Sequence, residues 1–209
     1  EFVAACLAGV FTFVEAVRLV AARGRLMQQM EPGSMLTVPL PEEELRKLLA
    51  GRDLSVAAVN GPANCVVSGP TNAIDEFEWE LSNRVVACRR LETSHAFHSA
   101  MMEPAVAPFT EDVRSVALKP PKIPLISNVT GQWIKDEVTD PSYWGRHLRE
   151  TVRFSQGASV LLRDVHAFLE IGPGQTLSTL IRRQTGYSTQ TIVATSLRHA
   201  HEIDSDVAR

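Results

Sequence analysis

The stretch Leu54-Ser55-Val56-Ala57-Ala58-Val59-Asn60-Gly61-Pro62-Ala63-Asn64-Cys65-Val66-Val67-Ser68 reads as two short strands around a turn. Leu54 to Val59 and Cys65 to Ser68 are mainly apolar, and Asn60 to Asn64 supplies the Asn, Gly and Pro that a chain reversal uses. On the N-terminal side, Pro41 to Ala50 carries the signals of a helix. A proline opens it, the acids Glu42, Glu43 and Glu44 fill the first turn, and Gly51 follows its end. Met35 to Val38 before it is a strand. On the C-terminal side, Thr71 caps a helix reaching Leu81, and Arg84 to Leu91 is a last strand. The order is βαββαβ within about sixty residues.

That order is the ferredoxin-like pattern, and it interrupts a different grammar. Ahead of it, Phe13 to Met30 is a helix whose apolar residues include Phe13, Val14, Val17, Val20, Ala21 and Met27. Thr12 with Glu15 forms a capping box, and Glu31-Pro32-Gly33 ends the helix. Beyond the small block, Met101 to Val116 is helical but interrupted by Pro104 and Pro108. Lys119-Pro120-Pro121-Lys122 leads into a strand at Ile123 to Ser127. Helices from Pro141, at Phe154 to Leu162 and at Thr176 to Arg183 alternate with strands at Ala167 to Ile171 and Thr191 to Ala194. Such alternation predicts an α/β layer with a mainly parallel sheet. The expected organisation is an α/β large subdomain over 1–32 and 98–209, with a ferredoxin-like subdomain, 33–97, inserted into it. His199 to Arg209 is polar and reads as the start of a linker.

Composition narrows the function classes. The net charge is −3 without long runs of one sign, which disfavours nucleic acid or an anionic membrane as partner. No stretch approaches the roughly 20 apolar residues of a spanning helix. Cys6, Cys65 and Cys88 have apolar neighbours and no Cys-x-x-Cys pair, the usage of reduced, buried thiols in a cytoplasmic protein. The close histidine pairs, His95/His98 and His199/His201, have no cysteine or acid at a metal-ligand spacing. No metal and no bound cofactor are expected.

Two further stretches carry chemistry: Ser94-His95-Ala96-Phe97-His98-Ser99, and the opening Glu1-Phe2-Val3-Ala4-Ala5-Cys6-Leu7-Ala8-Gly9. Together they resemble the acyltransferase domains of modular polyketide synthases. In that family a Gly-His-Ser-x-Gly-Glu turn holds the nucleophile and its glutamate leads into a helix. Well downstream comes a His-Ala-Phe-His or Tyr-Ala-Ser-His tetrad whose last histidine is the base. Phe168-Leu169-Glu170-Ile171-Gly172-Pro173-Gly174 matches another family motif, read here as a structural turn. The resemblance covers nearly the whole chain, implies a partial α/β-hydrolase-like large subdomain around the ferredoxin-like one, and places Glu1 just after the nucleophile.

The resemblance implies roles residue by residue. His98 is the base; taken alone it would be an ordinary half-buried histidine. His95 helps shape the pocket. Arg23, one helix beyond the nucleophile, grips the free carboxylate of a malonyl group, for which a planar guanidinium suits better than a lysine. Arg18 and Arg25 read as solvated. The carbonyl that orients His98 is expected from His147, whose bland alternative is a residue on a helix surface. Phe97 beside the base goes with malonyl rather than methylmalonyl units, because its ring leaves little room for a C2 methyl. Neither Ser68, Ser94 nor Ser99 lies in a Gly-x-Ser-x-Gly turn, so none is assigned as nucleophile. The expected activity is malonyl transfer from malonyl-CoA, through an upstream acyl-serine, to the phosphopantetheine thiol of an acyl carrier protein, with neighbouring synthase domains on the ketosynthase side. The 209-residue chain alone is expected to be inactive. A non-catalytic scaffold piece of a synthase and an acyl hydrolase of the same fold stay open, although a carboxylate clamp would serve a hydrolase nothing.

Overall fold

A glycine and a threonine set the first two helices. In the computed structural model, which describes residues 1–198, α1 (Phe2–Leu7) ends at Ala8. Gly9 follows at φ 81°, a left-handed turn that glycine adopts without a Cβ penalty. Val10 and Phe11 then enter the core. α2 (Phe13–Gln28) starts with the expected capping box: Glu15 N–H donates to the Thr12 hydroxyl at 3.3 Å, and Thr12 N–H donates to the Glu15 carboxylate at 2.7 Å. Its buried face is Ala16, Leu19 and Ala22, whereas Phe13, Val14, Val17 and Val20 are exposed. Most of the apolar residues that suggested the helix therefore lie on its outer side.

The next segment holds β1 (Ser34–Val38), α3 (Glu42–Leu49), β2 (Ser55–Gly61), β3 (Asn64–Gly69), α4 (Thr71–Asn83) and β4 (Arg89–Arg90). The sheet order is β2-β3-β1-β4, with every neighbouring pair antiparallel, as the ferredoxin-like reading requires. Leu36, Val38, Val56, Val59, Cys65 and Val67 on the strands meet Leu45 and Leu49 of α3 and Ile74, Phe77 and Leu81 of α4 in one apolar layer. Two boundaries differ from expectation. β4 is short because Arg84 caps α4 and Val85 sits at φ 59°, a conformation no strand can use. The N-cap of α4 is Pro70, and the Thr71 hydroxyl pairs instead with that of Ser34 at 3.0 Å.

α5 (Glu103–Arg114) runs unbroken through both prolines. Pro104 lies in the first turn, where its missing N–H has no helical role, and the helix accommodates Pro108 further on. β5 (Leu125–Ile126) pairs antiparallel with β6 (Trp133–Ile134), so this segment forms a hairpin and not part of a parallel layer. α6 (Pro141–Arg149) is capped by Asp140, which accepts the Ser142 N–H at 2.9 Å. It lies close against α5: a Cβ on Gly145 would fall 2.4 Å from the Thr110 hydroxyl. Phe2, Leu19, Phe109, Val113, Trp144 and Leu148 share one buried core.

By compactness the chain divides into Glu1–Gly157 and the residues from Ala158 onward, and the cut falls inside α7 (Phe154–Leu161). The second unit contains β7 (Ala167–Pro173), α8 (Thr176–Arg182) and β8 (Ile192–Leu197), with β7 and β8 parallel in a β-α-β unit. Among the described strands the expected parallel pairing is thus confined to this pair, with one isolated parallel bridge, Ala58 to Val152, elsewhere. The motif over 168–174 forms most of β7 and the turn into α8, where the Glu170 carboxylate accepts the Leu177 and Ser178 N–H groups. The fold is α/β. Among the described residues no helix is long and apolar enough to cross a membrane. The cysteines are free; Cys65 is buried, and burial pushes its thiol up to about 11. The polar segment 199–209, read above as a linker, lies outside the described residues.

Candidate active site

The base candidate sits on a tightly tied turn. Pro32 and His95 form an isolated antiparallel bridge, and Gly33 N–H donates to the Ser94 carbonyl at 3.3 Å. Gly33 has to be glycine, since a Cβ there would lie 2.7 Å from that of Ala96. The Ser99 hydroxyl donates to the Ala96 carbonyl at 2.6 Å and accepts the Met101 N–H at 3.2 Å. Between these ties His98 adopts φ 56°. A non-glycine residue held in this region costs on the order of 1–3 kcal/mol, and such strain persists where the surroundings over-determine it, commonly at active sites.

His98 Nδ1 lies 3.0 Å from the Glu150 carbonyl oxygen. A carbonyl only accepts, so Nδ1 carries the proton and Nε2 keeps its lone pair, the tautomer a general base needs. Burial pushes the His98 pKa down to about 4, with the charges of His147 and Arg23 acting in the same direction and the Glu150 hydrogen bond opposing them. The imidazole is therefore neutral at physiological pH.

The carbonyl that His98 Nδ1 meets, expected from His147, is that of Glu150. Glu150 is the C-cap of α6, and its extended backbone (φ −79°, ψ 162°) turns its C=O out of the helix. Immediately beyond, Val152 N–H donates to Ala57 at 2.8 Å, Val59 N–H donates to Val152 at 2.9 Å, and the Thr151 hydroxyl reaches the Val56 carbonyl at 2.6 Å. The carbonyl is thus fixed between a helix end and the edge of β2. His147 is nevertheless no surface residue. Its ring is buried and stands edge-on to that of His98, with centroids 6.4 Å apart.

Glu1 was only a landmark in the sequence; in the structure its side chain is 1% exposed. It accepts the Asn128 N–H at 2.8 Å and the Tyr143 hydroxyl, and its Oε2 lies 3.2 Å from His147 Nε2. That last contact is within reach of charge attraction, although the ring nitrogens of His147 meet no aligned hydrogen-bond partner. Burial alone would raise the Glu1 carboxyl, but His147, Tyr143 and the Asn128 N–H together hold it below its ordinary value. A carboxylate followed by an apolar helix start gave no signal that it would be buried; only the distant Tyr143 and His147 make it tolerable.

Arg23 lies on the half-buried side of α2. Its Nε is buried without a hydrogen-bond partner, and burial alone lowers its pKa. His95 has both ring nitrogens engaged: Nε2 donates to the Met30 carbonyl at 3.1 Å, so Nδ1 accepts from the Ser94 hydroxyl at 2.7 Å. Phe97 is half-buried, with its ring 6.0 Å from that of His95. Ser94 and Ser99 are committed to these local bonds, and Ser68 is wholly buried in β3. A cavity of about 270 Å³ opens beside His98, lined also by Arg46, Leu54, Ser55, Arg149 and Thr151. Among the described residues no cluster of His, Cys, Asp and Glu has a geometry for a metal ion.

Against known families, residues 1–203 match the acyl transferase domain. The chain belongs to that family. It is 36% identical over 201 residues to one component of the phenolphthiocerol/phthiocerol polyketide synthase of Mycobacterium tuberculosis, covering 95% of this chain and 13% of that protein. It is 42% identical over 185 residues to the spectinabilin polyketide synthase system protein NorB of Streptomyces orinoci, covering 86% of this chain and 8% of that protein. The solved acyl transferase domain of SpnD, in complex with 2-(pent-4-yn-1-yl)malonyl, superposes with a TM-score of 0.91 at 38% identity, covering 97% of this chain and 50% of that one. The chain therefore spans a small part of its curated relatives and about half of a solved acyltransferase domain. The acyltransferase family, and relatives that are polyketide synthases, agree with the family resemblance drawn from the sequence.

Proposed function

We propose that this chain supplies the base and the carboxylate clamp of a malonyl-transferring acyltransferase in a polyketide synthase. The nucleophilic serine would lie in the turn that ends at the glutamate matched by Glu1. The serine hydroxyl gives its proton to His98 Nε2 as its oxygen attacks the malonyl thioester carbonyl. The tetrahedral adduct collapses to a malonyl-serine ester, and the departing CoA thiolate takes the proton from His98. In the second half the phosphopantetheine thiol of an acyl carrier protein gives its proton to His98 and attacks the ester, and the serine leaves with that proton. The Glu150 carbonyl holds the ring in register throughout. On this reading the protein is cytoplasmic, uses no cofactor beyond its thioester substrates, and works beside a ketosynthase; residues 33–97 form a small subdomain within a larger one over 1–32 and 98–209.

The observation that carries malonyl as the substrate is Arg23. A half-buried guanidinium with an unpartnered Nε and no ion pair among the described residues is costly unless an anion joins it. Its charge acts on His98, so an anion bound to it would lie within electrostatic range of the proposed base. A malonyl carboxylate meets both conditions through two parallel hydrogen bonds. Hydrolysis or a scaffolding role would leave this guanidinium unexplained. In the full-length protein, Arg23→Ala should slow malonyl loading by roughly ten- to a hundredfold, the equivalent of a lost charge-assisted bond of about 1.5–3 kcal/mol. Acetyl loading should be spared. Equal losses for both acyl groups would make Arg23 structural.

A further inference from the structure

Glu1 is a buried carboxylate for which acyl transfer, as derived above, has no direct use. We propose that Glu1 is a positioning residue for His98, acting with His147 to lock the end of α6 so that the Glu150 carbonyl stays on Nδ1. The inference rests on the reading of His98 as the base.

The hydrogen bonds around Glu1 have only one consistent direction. Val129 and Thr130 N–H groups donate to the Ser127 hydroxyl oxygen at 3.0 and 3.2 Å. The Ser127 hydroxyl lies 2.8 Å from the Tyr143 oxygen, and the Tyr143 proton goes to Glu1. The chain of donors ends on Glu1 as an ionised acceptor. Burial, and then the Glu1 charge, push the Tyr143 phenol well above its ordinary range, so it stays a donor at any working pH.

Placement turns this network into a clamp. Tyr143 and His147 are four residues apart on α6 and so lie on one face of it. One carboxylate therefore meets the helix at two points, through the Tyr143 hydrogen bond and through a 3.2 Å contact with His147 Nε2, the second within a turn of Glu150. The other side of the segment is held through the same residue that Glu1 binds. Asn128 N–H donates to Glu1 at 2.8 Å, while the Asn128 carbonyl accepts the Arg153 N–H at 2.7 Å. Residues 150–153 are thus tied at both ends to elements that meet at Glu1. Phe2, the next residue, packs edge-on against the His147 ring at 5.7 Å, so the start of α1 rests directly on the end of α6. Since α1 directly follows the proposed nucleophile turn, the clamp would also fix the separation of nucleophile and base.

The test is acyl-enzyme formation from malonyl-CoA by the full-length protein carrying Glu1→Gln, His147→Gln or both. Each single change should lower kcat about tenfold while KM stays within about twofold, because alignment and not substrate binding is lost. The double variant should be no worse than the poorer single one, as expected for two residues in one device. A loss seen in KM, losses that multiply, or an unchanged kcat in Glu1→Gln would overturn the proposal. If Glu1→Gln does not fold, Tyr143→Phe removes one grip and keeps the carboxylate; it should lower kcat about threefold, and an unchanged kcat would again overturn the proposal. His98→Ala run in parallel separates the two readings. Full loading by that variant would remove the base assignment itself, whereas an inert His98→Ala beside fully active Glu1 and His147 variants would remove only the clamp.

Discussion

His98 Nδ1 and the carbonyl oxygen of Glu150 are 3.0 Å apart, although the two residues are separated by a helix, a hairpin and a further helix in the chain. This bond fixes the tautomer of the proposed base without a second side chain. A backbone carbonyl carries no full charge, so it orients the ring while adding little to its proton affinity. With burial and two nearby cationic or cation-capable groups opposing it, the result is a pKa of about 4.

That value predicts the pH dependence of loading. The rate of acyl-serine formation should be flat from about pH 8 down to about pH 6 and fall only as the pH approaches 4, where His98 takes up its proton. Stopped-flow loading across this range checks it; a half-fall near pH 6.5 would mean that His98 titrates as an ordinary histidine.

The same depression bears on stability, with a defined sign. Between the folded value of about 4 and the ordinary value of 6.5, the unfolded chain binds a proton at His98 that the folded chain does not. Stability at this residue therefore rises with pH across that window and falls on acidification. His98→Gln should show a smaller drop in Tm between pH 6.5 and pH 4 than the unmodified protein, measured by calorimetry.

The α5–α6 contact gives a prediction independent of chemistry. Gly145→Ala would set a Cβ 2.4 Å from the Thr110 hydroxyl, 3.2 Å from the Val106 methyl and 3.3 Å from the Val106 carbonyl. A backbone atom among these neighbours cannot simply turn away. The change should destabilise the protein by about 1–3 kcal/mol in denaturant unfolding.

Selectivity can be tested at the tetrad. His95→Tyr with Phe97→Ser should raise methylmalonyl loading relative to malonyl by a factor corresponding to about 1–3 kcal/mol, because one methyl in an apolar pocket is worth no more. Competition between the two CoA esters, read by acyl-enzyme mass, measures it. An unchanged ratio with both substrates still loading would place selectivity elsewhere.

Local signals carried much of the fold. The small βαββαβ block was legible because its strands are marked off by turn residues and its helix ends by Pro41, the first-turn acids and Gly51. The capping box of Thr12 and Glu15 was equally plain. What failed depended on neighbours far along the chain. The buried side of α2 is lined by Ala16, Leu19 and Ala22, which are less conspicuous than its exposed valines. Pro104 and Pro108 suggested breaks in α5, yet one lies in the first turn and the helix accommodates the other. At the site, His95 to His98 and Arg23 were legible only through the family resemblance, since by type alone each would pass for an ordinary histidine, aromatic or helix arginine. The orienting carbonyl does not, because any residue has a C=O and only the extended cap at Glu150 frees this one. Glu1 was illegible for a related reason: its burial is decided by Tyr143, His147 and Asn128, all distant in the chain.

The central claim, that His98 is the base of an acyl transfer, is tested most directly by intact mass spectrometry of the full-length protein after brief exposure to malonyl-CoA. The unmodified protein should gain one malonyl group, His95→Ala should gain it more slowly, and His98→Ala should gain none within the same time, in line with the roughly 10²–10⁴-fold cost of losing a general base. Malonyl uptake by His98→Ala at the unmodified rate, with its fold intact by calorimetry, would contradict the account.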